Sequence, residues 1–265
     1  MTGSRLTDRF EEMRAAGRGG LVAYVTSGDP DRNRSVQILA AVARGGADVI
    51  EVGVPFSDPL ADGPVIQRAS ERALAAGMTL RGSLDLVREF RESHETPIVL
   101  FTYANPVVRM EPAAFARQAK EAGVDGVLLL DYPVEEAGPL RATLVDAGLD
   151  PIFLISPTTT DERIERSARM GAGFLYVISR LGVTGARDAL ADDVEPLLKR
   201  VRTHASLPVA VGFGISSPGL VAEACRHADA AVVGSALVQE IAAHADAPDL
   251  AGRVETYVAW LKSAL

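Results

Sequence analysis

Apolar positions give the first outline of the chain. Leu6, Phe10 and Met13 recur at spacings of four and three residues, the pattern of one apolar face on a short helix. Gly17, Gly19 and Gly20 then end it. Beyond them, short apolar runs alternate with amphipathic stretches. The runs fall at residues 21–26, 48–53, 97–103, 124–131, 151–156, 174–179, 207–212 and 229–234. They are rich in Val, Ile and Leu and do not alternate with polar residues, which is how strands covered on both faces of a parallel sheet read. Residues 35–44, 112–121, 136–147 and 192–203 read as helices between them. The gap between the second and third runs is longer and holds two helices, at 66–76 and 80–93.

A short repeat marks the joints. Gly46-Ala-Asp48, Gly123-Val-Asp125 and Gly148-Leu-Asp150 each stand between a helix and a strand, and Ala228-Asp229 echoes them. Glycine there ends a helix in the left-handed conformation before a short turn into the next strand. Eight strand–helix units in a chain of this length predict a (β/α)8 TIM barrel, an α/β fold in one domain spanning 1–265. It carries an extra helix at the N-terminus and another after strand 2. The rival is an open doubly wound sheet, which for dinucleotides places GxGxxG after its first strand. Ser27-Gly28-Asp29-Pro30 is no such loop.

Composition narrows the class. Of 265 residues 48% are hydrophobic and 23% charged, which excludes wholesale disorder. The net charge is −8, from 27 basic and 35 acidic residues, with no basic block, so neither nucleic acid nor an anionic membrane is expected as partner. Residues 1–18 carry seven charges and no apolar run, unlike a signal peptide. Cys225 is the single cysteine and has no internal disulfide partner. A cytoplasmic location is the expectation.

In such a barrel the chemistry lies where strands run into the following loops. Lys120, Lys199 and Lys262 all fall on expected helices, which argues against an imine mechanism. His94, His204, His227, His244 and Cys225 fall on helices or helix ends, so no metal site and no cysteine nucleophile are expected. Carboxylates, tyrosines and backbone donors remain. Glu51 sits inside the second run, where a charge is costly unless paired or used. It is either satisfied by an arginine or, with Ile50 and Val52 facing the helices, directed into the barrel mouth. Asp58 and Asp62 lie in a long, proline-stiffened loop. Asp62 either caps the next helix or shares acid–base work with Glu51, if their surroundings drive their pKa values apart. Tyr176 lies in the sixth run, followed by a loop with Arg180, Thr184 and Gly185 that is either a lid or a plain connection. Gly212-Phe-Gly-Ile-Ser216 and Gly234-Ser235-Ala236 each open a helix after the last two strands. They are either tight turns or, together, a phosphate site.

The run Glu51-Val-Gly-Val-Pro-Phe-Ser-Asp-Pro-Leu-Ala-Asp-Gly-Pro64 resembles the signature of the tryptophan synthase α-subunit family. The likeness continues in Val25-Thr-Ser-Gly-Asp-Pro30, Tyr103-Ala-Asn-Pro106, Asp131-Tyr-Pro-Val-Glu-Glu136, Ser179-Arg-Leu-Gly-Val-Thr-Gly185 and the two glycine motifs, in the family's order over nearly the whole chain. It implies retro-aldol cleavage of indole-3-glycerol phosphate to indole and glyceraldehyde 3-phosphate. By resemblance Glu51, Asp62 and Tyr176 are catalytic, and Gly185, Phe213, Gly214, Gly234 and Ser235 hold the phosphate. Tyr24, Phe101, Leu128 and Leu130 line an indole slot, and Arg180 and Thr184 belong to the lid. The resemblance also implies a β-subunit partner in an α2β2 tetramer, met by Ser57, Asp58, Pro59 and Asn105. No cofactor is expected in this chain, pyridoxal phosphate being expected only in the β partner.

Overall fold

The computed structural model describes residues 4–178, 194–212 and 214–265. Eight strands pair in parallel with their sequence neighbours, and the last pairs with the first. They are β1 (Gly20–Thr26), β2 (Val49–Gly53), β3 (Ile98–Thr102), β4 (Gly126–Leu129), β5 (Asp150–Ile155), β6 (Leu175–Ile178), β7 (Val209–Gly212) and β8 (Ala230–Val233). Six expected runs contain their strands, and β1 and β5 each begin one residue before theirs. Among the described residues the helices are α1 (Arg5–Ala15), α2 (Arg32–Arg44), α3 (Pro64–Ala75), α4 (Leu80–Arg91), α5 (Ala104–Met110), α6 (Pro112–Ala122), α7 (Gly138–Asp146), α8 (Asp161–Met170), α9 (Val194–His204), α10 (Pro218–Cys225), α11 (Ser235–Ala243) and α12 (Leu250–Lys262). The extra helices α1 and α3 or α4 were expected. Two more, α5 after β3 and α12 after α11, were not. The first has seven residues and no side-chain N-cap, so it leaves almost no periodic signal.

Strand alternation separates two cores. Val22, Val49, Val99, Leu128, Ile152, Phe174 and Val232 fill the barrel interior. Leu6, Phe10 and Met13 of α1 close its lower end, with the Phe10 and Phe174 rings 5.3 Å apart. Ile50 and Val52 instead join the larger core between strands and helices. Val49, Glu51 and Gly53 therefore face inward, as alternation requires.

The glycine–aspartate repeat has a structural cause. Gly46, Gly123 and Gly148 all take positive φ. The aspartates of three joints then form a two-bond clasp at the foot of the preceding strand. Asp48 donates its N–H to the Leu21 carbonyl and accepts the Leu21 N–H on its carboxylate. Asp125 does the same with Ile98, and Asp229 with Val209. Cations complete each clasp: Arg18 and Lys262 on Asp48, Arg5 and Arg91 on Asp125, and Arg202 on Asp229. Asp150 differs, because its carboxylate meets the Ser4 hydroxyl. These clasps fix the lower rim and leave the opposite rim free for chemistry.

Candidate active site

Glu51 points from β2 into the barrel and is fully buried. Neither carboxylate oxygen has a hydrogen-bond partner among the described residues, so no arginine among them pairs with it. Burial disfavours its charged form and pushes the pKa from 4.5 to about 8. At neutral pH this side chain carries a proton.

Asp62 stands 11 positions further on, at the end of the loop that joins β2 to α3, and is 6% exposed. It does not cap α3, whose N-cap is Gly63. Instead its Oδ2 accepts a bond from the Tyr103 hydroxyl at 3.0 Å. Gln67 of α3 ties down the main chain, its Nε2 donating to the Asp62 carbonyl at 2.8 Å. Burial raises Asp62 from 3.8 to about 6, and the Tyr103 bond opposes the rise. The two acids thus sit on opposite sides of neutrality, as acid–base division requires.

Between them lies a cavity of about 150 Å³. Tyr24, Phe101, Leu130, Leu154 and Ile66 give it apolar walls, and Glu51, Asp62 and Tyr176 also line it. Tyr24 and Phe101 meet edge to face, 5.2 Å between centroids. Gly53 makes this possible, since a Cβ there would overlap the Tyr24 hydroxyl. That hydroxyl lies 3.3 Å from Thr26 Oγ1. Gly212 plays the same part for Tyr176, whose hydroxyl would be 2.6 Å from a Cβ. Burial, reinforced by the charge of Glu51, raises the Tyr176 pKa well above its ordinary value and keeps the phenol protonated. Leu128, expected in the slot, is fully buried in the barrel interior and does not line the cavity, whereas Leu130 does.

Gly214, Ile215, Gly234, Ser235 and Ala236 form the other end of the cavity. The two helices that start here differ. Ser217 caps α10, its hydroxyl accepting from the Leu220 N–H. No side chain caps α11, whose first residues face the cavity. The N–H groups of that first turn and the positive helix end suit an anion. Phe213, Gly185, Arg180 and Thr184 lie outside the described residues.

At the rim, Ser57, Asp58 and Asn105 are exposed and Pro59 is partly so. Leu60 beside them is 90% exposed and Val108 on α5 is 59% exposed. Among the described residues no cluster of His, Cys, Asp or Glu is arranged to hold a metal ion, and no helix is long and apolar enough to cross a membrane. Tyr103, Leu154, Ile66, Ile178 and Val232 also line or brace the cavity, and none was singled out from the sequence as a site residue. Tyr103 opens a motif that sequence analysis noted, so its position carried a signal while its role did not.

An apolar slot with a protonated acid, an ionised acid and an open helix N-terminus defines a (β/α)8 enzyme that performs acid–base chemistry on a small anionic substrate. Comparison with known proteins gives the family. The family model described as Tryptophan synthase alpha chain matches residues 10–264. The tryptophan synthase alpha chain of Burkholderia thailandensis is 49% identical over 263 residues, covering 99% of this chain and 97% of that one. That of Methylococcus capsulatus is 51% identical over 249 residues, covering 94% and 93%. Among solved structures, tryptophan synthase subunit alpha from Legionella pneumophila superposes with a TM-score of 0.92 at 37% identity, over 98% of each chain. Mycobacterium tuberculosis tryptophan synthase gives 0.91 at 37% identity, over 99% of this chain and 98% of that one. The chain belongs to the tryptophan synthase alpha chain family.

Proposed function

We propose that Glu51, Asp62 and Tyr176 divide the work of the α reaction, the cleavage of indole-3-glycerol phosphate into indole and glyceraldehyde 3-phosphate. The observation that carries this reading is Glu51, a protonated and unpartnered acid at the base of an apolar slot. Its proton goes to C3 of the indole ring. The ring becomes an electron sink, with positive charge developing at the ring nitrogen. Asp62, ionised at neutral pH, accepts the ring N–H and stabilises that charge. Glu51, now a carboxylate, takes the proton of the glycerol hydroxyl next to the ring. The C–C bond breaks, its electron pair returns to the ring, and an aldehyde forms. Glu51 ends protonated, ready for another turn. Tyr176 stays a phenol beside it and orders the hydroxyl.

The slot between Tyr24, Phe101, Leu130 and Leu154 takes the indole ring. The uncapped start of α11, with Gly234, Ser235 and Gly214, takes the phosphate. The chemistry of this chain uses its own side chains, and pyridoxal phosphate belongs to the β partner. Exposed Leu60 and Val108 stand beside Ser57, Asp58, Pro59 and Asn105, and apolar side chains left in water at one rim fit a docking face for β in an α2β2 tetramer. Residues 1–265 act as one domain, in the cytoplasm. Indole released from indole-3-glycerol phosphate, measured with and without a β subunit, tests the reading. Slow release strongly accelerated by β is expected. No release under either condition overturns it.

A further inference from the structure

Tyr103 follows β3 at the N-cap position of α5, and its side chain serves the neighbouring loop after β2. Its ring stacks on Phe56, 5.0 Å between centroids and 28° between planes. Its hydroxyl oxygen is 3.0 Å from the Ala61 N and 3.0 Å from Asp62 Oδ2. The direction of both bonds follows from chemistry. A backbone N–H only donates, so the phenol accepts from Ala61 and spends its one proton on Asp62. One buried side chain, 4% exposed, therefore touches the loop at 56, 61 and 62.

We propose that Tyr103 is a positioning residue for catalysis, holding the Asp62 carboxylate ionised and fixed so that its other oxygen meets the ring N–H of the substrate. This rests on the role given to Asp62 above. Among the described residues, the titratable groups around Asp62 are Tyr24 of β1, Glu51 of β2, Tyr103 and Tyr176 of β6, with Asp131 beyond Tyr103. None of these supplies positive charge. A directed hydrogen bond is what opposes the burial of Asp62. Burial, then the Asp62 charge, raises the pKa of Tyr103 itself, so it remains a donor throughout the working range.

The test is Tyr103→Phe, assayed in the complex with β across pH 5–9, together with a carbon-13 titration of the Asp62 carboxyl in the free chain. The Asp62→Asn spectrum identifies that signal. The proposal expects the Asp62 titration and the acid limb of kcat to rise together by about one pH unit, with kcat near pH 6 down about fivefold and KM changed little. In an Asp62→Asn background the same substitution costs almost nothing further. Phe56→Leu, which removes the stack and leaves both hydroxyl bonds, lowers Tm without moving the titration. Where Tyr103→Phe folds poorly, 3-fluorotyrosine at 103 keeps the ring and acidifies the phenol, and the titration then moves down. An unmoved titration, or additive losses in the double variant, overturns the proposal. A moved titration with unchanged kcat removes the role of Asp62 on which it rests, and overturns its catalytic half.

Discussion

Glu51 makes a prediction that joins stability to mechanism. In the fold its pKa lies near 8, whereas in an unfolded chain it is about 4.5. Below pH 4.5 both states hold the proton and the group contributes nothing. Between 4.5 and 8 the folded protein keeps a proton that the unfolded chain releases, so unfolding gains as pH rises. Above 8 both are ionised and the penalty levels off. The cost per pH unit is about 1.4 kcal/mol, so from pH 5 to pH 8 the Glu51 penalty grows by roughly 3 kcal/mol. Glu51→Gln is close in size and cannot ionise. Urea unfolding of both proteins at pH 5 and pH 8 isolates the difference, since every other group titrates alike in the two. The variant gains roughly 3 kcal/mol on wild type over that interval and loses about 10²–10⁴-fold in indole release. Parallel pH dependence in the two proteins would falsify the claim that the resting enzyme holds a neutral Glu51. It would also remove the proton donor from the mechanism.

The remaining predictions probe neighbouring parts of the site. The pH profile of kcat/KM should be a bell, rising as Asp62 ionises near 6 and falling as Glu51 ionises near 8, and Asp62→Asn should erase the acid limb. A single-limbed wild-type profile contradicts that pairing. Gly212→Ala would put a methyl 2.6 Å from the Tyr176 hydroxyl, so kcat should fall and stability drop by about 1–3 kcal/mol, read by indole release and thermal melting. Asp125→Ala removes the clasp on β3 and leaves Arg91, with a side chain 9% exposed, without its carboxylate. Urea unfolding should show a loss of about 3–5 kcal/mol, while indole release per folded molecule stays near wild type.

The barrel was legible because its signals are local. Eight apolar runs and the glycine–aspartate joints repeat within a few residues of each other, and each aspartate clasp closes on the strand just before it. Alternation along β2 puts Glu51 on the face opposite Ile50 and Val52, and the packing of those two against the helices turns it inward. The depth of a side chain along the barrel axis is a different matter. Leu128 and Leu130 share a face of the chain, and only the strand stagger puts the first in the interior and leaves the second on the cavity wall. Helix α5 is too short for a period to show.

Tyr103 marks the limit most sharply. It is 41 positions from Asp62, beyond the next strand, and no spacing rule connects them. A tyrosine at a strand end reads equally well as core. What makes it a donor is the pair of partners brought to its hydroxyl by closing β2 against β3. The same holds for Glu51, whose charge state depends on what is absent around it. A sequence shows that a carboxylate lies in an apolar run, but whether an arginine from elsewhere reaches it is decided by the whole barrel. The candidate residues are therefore visible one at a time. The burial that separates the pKa values of Glu51 and Asp62 comes only with the packing of distant strands.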